Sequence, residues 1–282
     1  MKLKGKRRMI KLIAIDMDGT LLNESHLITE KVKTALHEAI EAGIKIVLCT
    51  GRPLKAIYPY LEELKLSQEE DYVISLNGTL IQKTNTQEIV YSHTLSHEDV
   101  AKLEGLRRKD LEISFSYFNE KDYYYTGKQT EILQYDADLL GMELNYLPAK
   151  DIPDDMTIYK AMFVAESEVL DQFIPQVPEF IYQDYYPIRS LSYVFEVLPK
   201  QANKGAALLG LAKKLGFAKE EIMAIGDGAN DIDMIEAAGE SVAMGNATEE
   251  IKKAAKYETK TNEEDGVAHA IYRWALGSDT KE

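Results

Sequence analysis

Two carboxylates, Asp16 and Asp18, stand two residues apart directly after the first strongly apolar run of the chain, in the segment DMDGTL. Open α/β sheets place their ligands at the carboxyl ends of strands. Through one side chain and one backbone carbonyl, such a pair can contact the same divalent ion. A polar turn, in which Gly19 supplies an unusual φ, would account for the same residues, so the segment alone leaves both interpretations open.

A hydroxyl residue, Thr50, and the glycine after it, Gly51, follow the second apolar run and precede Arg52. A hydroxyl and exposed amides near the start of a helix can bind an anion. A helix N-cap would explain Thr50 equally well, so this tripeptide is a supporting signal only.

A third segment, GDGAND, carries Asp227 and Asp231 after a later apolar run. It is not a dinucleotide-binding motif, because Asp231 stands where the third glycine should be. Lys204 begins a predicted helix upstream of this segment. A solvated lysine is the usual interpretation of such a residue, and the neighbouring Lys200 is a rival for any role in binding.

The segments that must position these residues alternate between apolar runs typical of buried strands and apolar stripes with the period of a helix. Nearly continuous apolar runs at 9–15, 44–49 and 72–76 are separated by helical stripes, which predicts a βαβαβ unit. A helix that ends at Gly216 and a strand at 222–225 repeat this character in the last third. The two thirds therefore predict one parallel, doubly wound sheet.

The middle of the chain has a different pattern, with alternating strands at 112–118, 122–126 and 159–164 that helical segments separate. This pattern predicts an α+β insertion with antiparallel strand pairs. We therefore expect a core made of residues 1–84 and 190–282, and an inserted domain made of residues 85–189.

The three polar segments each follow an apolar run, and a parallel sheet would bring the carboxyl ends of those strands together. Carboxylates, a hydroxyl, backbone amides and one lysine would then converge at a single edge. That set suits Mg²⁺ and a transferring phosphoryl group, whose charge needs cationic and amide donors.

The motifs, taken in this order, resemble those of the haloacid dehalogenase-like superfamily, and within it those of the Cof-type phosphatases, which carry a large cap inserted after the second motif. The resemblance covers almost the whole chain and includes the pair Asn77-Gly78 and the segment at 245–247. It implies an α/β fold with a doubly wound, parallel, Rossmann-like core sheet and an inserted α+β cap domain that selects the substrate.

The resemblance also implies a role for each motif residue. Asp16 would be the nucleophile that forms an aspartyl phosphate, and Asp18 the general acid and base. Mg²⁺ would be held by the Asp16 carboxylate, the Asp18 carbonyl and Asp227, with Asp231 orienting these ligands. The phosphoryl oxygens would be bound by the Met17 amide, Thr50, the Gly51 amide, Lys204 and Asn230.

The resulting prediction is a Mg²⁺-dependent phosphatase for small phosphorylated metabolites, with sugar phosphates as the leading class. A phosphohexomutase of the same superfamily and a non-catalytic protein that binds a phosphorylated metabolite are the alternatives. Asp18 favours hydrolysis, because a reaction that stops at the covalent ester would not need a second acid. Asp16 argues against a sensor, since binding does not require a nucleophile.

Composition limits the partners and the cellular compartment that we expect for this chain. The 282 residues include 33 Lys and Arg against 47 Asp and Glu, a net charge of −14, which disfavours partners such as nucleic acid and anionic membranes. The single cysteine, Cys49, cannot form an internal disulfide. The apolar run at 10–15 is too short for a signal peptide or a membrane span. We expect a soluble, cytoplasmic monomer or homodimer with a basic, frayed tail at its N-terminus.

Overall fold

The structure is a computed structural model that describes residues 9–108 and 110–278. The basic tail predicted to fray, residues 1–8, lies outside these ranges. Within the part of the chain that is described, every helix is too short or too polar to cross a bilayer.

The core is one eight-stranded sheet flanked by helices. Its central strands are almost entirely buried, which explains the continuous apolar runs in the sequence. The N-terminal part consists of β1 (Leu12–Ile15), α1 (Glu30–Glu41), β2 (Lys45–Cys49), α2 (Leu54–Glu63), β3 (Tyr72–Ser75), β4 (Leu80–Lys83) and β5 (Ile89–Ser92).

A second, six-stranded sheet with its own helices interrupts this core. We call this unit the cap. It consists of α3 (His97–Glu104), β6 (Ser114–Phe118), β7 (Tyr123–Thr126), α4 (Glu131–Leu139), β8 (Leu144–Tyr146), β9 (Lys160–Val164), α5 (Ser167–Phe173), α6 (Phe180–Asp184), β10 (Tyr185–Leu191) and β11 (Val194–Pro199).

The chain then returns to the core sheet. Its order is β5-β4-β3-β2-β1 and continues on the other side of β1 with the three C-terminal strands. The last elements are α7 (Lys204–Leu215), β12 (Ile222–Gly226), α8 (Ile232–Ala237), β13 (Glu240–Ala243), α9 (Glu249–Ala254), β14 (Tyr257–Glu258) and α10 (Gly266–Ala270).

The strand order places a switch point at β1. The chain moves from β1 to β2 and β3 in one direction, while β12 lies against the other side of β1, and all of these pairs are parallel. The Asp16 amide donates to the Ile225 carbonyl at 3.0 Å, so Asp16 lies beside the end of β12. Doubly wound sheets bind ligands in the crevice at such a point.

The two faces of the cap sheet have different partners. One face packs Phe115, Phe163 and Phe195 under the cap helices. The opposite face carries Met162 and Val194, which belong to a buried cluster with residues of the core. Because side chains alternate along a strand, every second residue of β9 and β11 therefore faces the core.

The α/β class with an inserted α+β unit is confirmed, but sheet membership departs from the predicted boundaries at both ends. β5 lies in the core sheet, and the hairpin of β10 and β11 belongs to the cap sheet as far as Pro199. The predicted limits, 84/85 and 189/190, each fall inside an antiparallel hairpin. Two strands of a hairpin pair with each other, so each hairpin stays whole in one sheet. At one edge of the parallel core sheet, β4 pairs antiparallel with β3 and with β5, an addition that the sequence analysis did not predict.

Candidate active site

Lys204 is the centre of a buried ionic cluster at the switch point. Its side chain is fully buried, and Nζ donates to Asp16 Oδ1 at 2.5 Å and to Asp231 Oδ1 at 2.6 Å. Asn203 caps the helix that Lys204 begins by accepting from the Ala206 amide at 2.7 Å, which fixes the start of α7. The lysine predicted from the sequence is therefore part of the cluster, and its solvated interpretation is wrong.

Asp231 orders the loop after β12. Its Oδ2 accepts from the amides of Asp227 and Gly228 at 2.9 and 3.0 Å, while its Oδ1 accepts from Lys204. This carboxylate therefore has no freedom to rotate. Asp227 Oδ1 accepts from Thr20 Oγ1 at 2.6 Å, which ties the β12 loop to the β1 loop.

Three carboxylates of this cluster could share one metal ion. Asp16, Asp227 and Asp231 each offer an oxygen within 4.8 Å of the others. Gly19 leaves the space that Asp227 needs, because a Cβ at position 19 would lie 2.5 Å from Asp227 Oδ2. Clustered carboxylate oxygens are the donor set that Mg²⁺ prefers, so these residues fit the predicted ion.

The pKa shifts of the clustered residues also favour a bound cation. Burial, followed by the nearby charge of Asp231, raises the pKa of Asp16, and Lys204 offsets part of that rise. Burial and Asp231 likewise raise the pKa of Asp227 to about 7. Burial would lower the pKa of Lys204, but the Asp16 and Asp231 carboxylates outweigh it and raise that pKa. One lysine is thus too little positive charge for the carboxylates around it, and a cation would relieve their repulsion.

Asp18 faces a different partner from Asp16. Arg52 donates from Nε and Nη2 to Asp18 Oδ2 and Oδ1 at 2.9 and 2.5 Å, a two-point contact that fixes the plane of the carboxylate. The Arg52 side chain is 6% exposed and that of Asp18 is 36% exposed. The arginine of the second motif, to which sequence analysis assigned no role, therefore positions the acid of the first.

The other predicted phosphoryl-binding residues lie around the same edge. Thr50 is fully buried at the end of β2, and its Oγ1 accepts from the Arg52 amide at 3.1 Å. Met17 follows β1, and its side chain is fully buried in the hydrophobic core of the main sheet. Gly51 and Asn230 line the cavity described below.

Asn77, in the loop after β3, contacts the loops that follow β2 and β12. Its Oδ1 accepts from Asn230 Nδ2 at 3.0 Å, and its backbone N–H donates to the Thr50 carbonyl at 2.9 Å. Asn77 adopts a left-handed backbone with φ 55° between two other residues with positive φ. Such strain persists only where the surroundings enforce it, and it often marks a functional position.

A cavity of about 320 Å³ separates the core edge from the cap sheet. This volume lies within the range of about 300–1,000 Å³ that small-molecule sites occupy. The core wall includes Asp16, Asp18, Arg52 and Asp227, and the cap wall is mostly apolar with a few polar groups. Those cap residues are Tyr135, Asp136, Leu139, Leu140, Lys160, Met162, Ser190, Leu191, Tyr193, Val194 and Glu196.

Two charged residues of the cap wall, Lys160 and Glu196, were missed by sequence analysis. Each is the one charged residue in an otherwise apolar stretch, 158–164 for Lys160 and 193–199 for Glu196. A lone charge inside a buried strand is costly unless it has a partner, so this pattern was the available signal.

Comparison with known proteins agrees with the geometry. The pattern of the haloacid dehalogenase-like hydrolase family matches residues 13–271. The chain is 42% identical over 269 residues to YxeH of Bacillus subtilis, covering 95% of this chain and 99% of that protein. It is 32% identical to YcsE of Bacillus subtilis, a 5-amino-6-(5-phospho-D-ribitylamino)uracil phosphatase, covering 95% and 96%.

A solved structure shows the same fold. The subclass IIB sugar phosphatase BT4131 superposes with a TM-score of 0.81 at 26% identity, covering 94% of this chain and 99% of that one. Sequence pattern, relatives and fold therefore agree over nearly the whole chain. The chain belongs to the haloacid dehalogenase-like hydrolases and is an enzyme of their phosphatase group.

Proposed function

We propose that this enzyme is a Mg²⁺-dependent phosphatase that hydrolyses small phosphorylated metabolites, with sugar phosphates as the leading class, through an aspartyl phosphate at Asp16. The observation that carries this proposal is the cluster of three carboxylates around the buried Lys204, which opens into the cavity beneath the cap. The named activities of YcsE and BT4131 support a phosphorylated polyol or sugar as substrate.

In the first step, the Asp16 carboxylate attacks phosphorus, and the bond between phosphorus and the leaving oxygen breaks. Lys204 holds Oδ1 of Asp16 at 2.5 Å, which keeps the nucleophile in one orientation. Asp18 gives a proton to the leaving oxygen, and Arg52 keeps the Asp18 carboxyl aimed at the cavity.

In the second step, a water molecule attacks the phosphorus of the aspartyl phosphate. Asp18 takes the proton from this water, so the same residue serves as acid and then as base. The bond between phosphorus and Asp16 breaks, which releases inorganic phosphate and restores the free carboxylate.

Mg²⁺ would be held by the carboxylates of Asp16 and Asp227 and by the carbonyl of Asp18, with Asp231 fixing the loop that carries Asp227. When bound, the ion supplies the positive charge that offsets the carboxylates and the phosphoryl oxygens. The remaining donors to the phosphoryl oxygens would be the amides of Met17 and Gly51 and the side chains of Thr50, Lys204 and Asn230.

The cap completes the site by covering the leaving group. Its apolar wall, including Leu139, Leu140 and Met162, limits the access of water to the cavity. We propose that the cap selects the substrate, because the residues that bear on phosphoryl transfer all come from the core.

The test is a screen of purified protein for release of inorganic phosphate, with Mg²⁺ present. The panel contains sugar phosphates, nucleotides, flavin mononucleotide and pyridoxal phosphate. We expect release from several sugar or polyol phosphates, and free phosphate rather than a rearranged hexose phosphate as the product. A hexose bisphosphate or an isomerised hexose phosphate would instead indicate a mutase, and no release from any ester would contradict the proposal.

A further inference from the structure

Lys160 and Glu196 form a buried ion pair on the face of the cap sheet that covers the active site. They lie on the neighbouring strands β9 and β11, where Glu196 is paired with Met162, two residues from Lys160 on the same face. Both residues are 3% exposed, and Lys160 Nζ lies 3.3 Å from Glu196 Oε1. Both line the cavity.

Contacts with the core hold each member of this pair in place. Lys160 Nζ donates to the carbonyl of Gly51 at 3.1 Å, in the loop proposed to bind phosphate. Glu196 Oε2 accepts from Asn77 Nδ2 at 2.7 Å, and Oε1 accepts from Ser190 Oγ at 2.7 Å. The pair therefore lies next to the proposed phosphoryl site, close to the point where the leaving group of a substrate is attached to phosphorus.

The permanent cations that line the cavity are each paired with a carboxylate. Among the described residues that line it, Arg52 and Lys160 carry permanent positive charge, and each has a carboxylate partner, Asp18 and Glu196 respectively. Asp136 adds another carboxyl group to the cap wall, where it accepts from Tyr123 at 2.8 Å. On the cap wall, a negatively charged leaving group would thus meet the carboxyl groups of Glu196 and Asp136 and find Lys160 already neutralised by Glu196.

We propose that the Lys160–Glu196 pair makes this enzyme select phosphate esters whose leaving group is uncharged, and reject those that carry a carboxylate or a second phosphate. The inference rests on the proposed phosphatase function and adds the substrate class. Hydroxyl groups of a neutral polyol can donate to Glu196 and accept from Lys160 without disturbing the pair. An anion would have to displace Glu196 or lie beside it unpaired, and that repulsion provides the discrimination.

The test uses pairs of phosphate esters in which one member has a carboxylate where the other has a CH₂OH group, and which are otherwise identical. Sorbitol 6-phosphate is compared with 6-phosphogluconate, and glycerol 3-phosphate with 3-phosphoglycerate. For each pair the quantity measured is the ratio of kcat/KM for the neutral ester to kcat/KM for the anionic ester. We expect a ratio of about ten or more in the unaltered enzyme, a tenfold preference being about 1.4 kcal/mol.

Glu196→Gln removes the charged partner of Lys160 and keeps one side-chain oxygen, which can still accept from Asn77 or from Ser190. The freed lysine should then attract an anionic leaving group, and the ratio should fall about tenfold or more. The matched control is Glu168→Gln, which removes the same charge from an exposed position of the cap and should leave the ratio unchanged. The double variant Lys160→Met, Glu196→Gln carries neither charge and should bring the ratio back towards that of the unaltered enzyme.

A ratio near one in the unaltered enzyme would overturn the inference, as would a ratio that Glu196→Gln leaves unchanged or that Glu168→Gln shifts equally. Should Glu196→Gln fail to fold, as judged by circular dichroism, Lys160→Met serves in its place. That variant leaves Glu196 without its lysine, so the ratio must rise, and an unchanged ratio overturns the inference. Release of no phosphate from any ester by the unaltered enzyme is a separate outcome, which overturns the proposed function and the inference with it.

Discussion

Two buried lysines, Lys204 in the core and Lys160 in the cap, differ in how much negative charge surrounds them. Lys204 donates to Asp16 and Asp231, with the further carboxylate of Asp227 close by. Lys160 has one carboxylate in direct contact, that of Glu196. Burying charged groups is costly unless they are balanced, so the core cluster is incomplete without a cation, whereas the cap pair is complete without one.

The comparison shows how one cavity can combine two tasks. The core side keeps an excess of negative charge, which the metal ion of the proposed mechanism would offset. On the cap side, Glu196 neutralises the charge of Lys160 before any ligand binds, and such a neutral pair suits the recognition of hydroxyl groups.

Asp16→Asn should have the largest effect, because it removes the proposed nucleophile while conserving shape. We expect phosphate release to fall by about 10⁴-fold or more. Circular dichroism should show that the fold is kept, and Asp155→Asn, at an exposed position of the cap, should retain full turnover. Turnover of the Asp16 variant within tenfold of the unaltered enzyme would remove Asp16 from this role.

Removal of divalent metal should abolish activity reversibly, because the core cluster lacks sufficient positive charge by itself. A chelator should stop phosphate release and lower the melting temperature, and excess Mg²⁺ should restore both. Ca²⁺ should restore less activity, since it accepts looser and higher coordination. Full activity in excess chelator would contradict the metal site.

Lys160→Met should reduce stability strongly, because it leaves Glu196 charged and buried without its partner. We expect the free energy of unfolding, measured in urea, to fall by about 3–5 kcal/mol. Replacing Lys128, whose ion pair with Glu112 is exposed, should change it by less than about 1 kcal/mol. Equal losses at the two positions would show that burial does not distinguish these pairs.

Gly19→Ala and Gly43→Ala should differ in metal binding while costing similar stability. Both glycines have positive φ, 83° and 85°, so alanine should cost about 1–2 kcal/mol at either position. A Cβ at Gly19 would lie 2.5 Å from Asp227 Oδ2, whereas a Cβ at Gly43 meets nothing within 4 Å. The Mg²⁺ concentration for half-maximal activity should therefore rise, by about tenfold, only in Gly19→Ala. The same rise in both variants would disprove the steric contact as its cause.

Sequence alone was enough for the parallel centre of the core sheet and for the positions of the motifs that follow its strands. Apolar runs of the length of β1, β2 and β12 indicate strands covered on both faces, and such strands occur in doubly wound parallel sheets. Polar residues directly after these runs were then expected at one edge. The structure brings Asp16, Asp227, Asp231 and Lys204 together there, as expected from the topology.

The boundaries of the cap were decided by pairing that the sequence does not record. β5 and β11 are alternating or apolar segments of ordinary composition, and either could join either sheet. The strand against which each one hydrogen-bonds settles the matter, and that partner is fixed by the hairpin geometry of the chain.

Partnership between side chains was likewise decided only by the tertiary structure. Asp18 and Arg52 lie 34 residues apart in sequence, and Asn77 and Glu196 lie 119 apart, so no local pattern connects them. Lys160 and Glu196 stand out in the sequence as isolated charges within apolar stretches, but they become a pair only because β9 and β11 lie side by side. Periodicity reports which face of an element is buried, whereas the identity of the group across the interface depends on how distant elements pack.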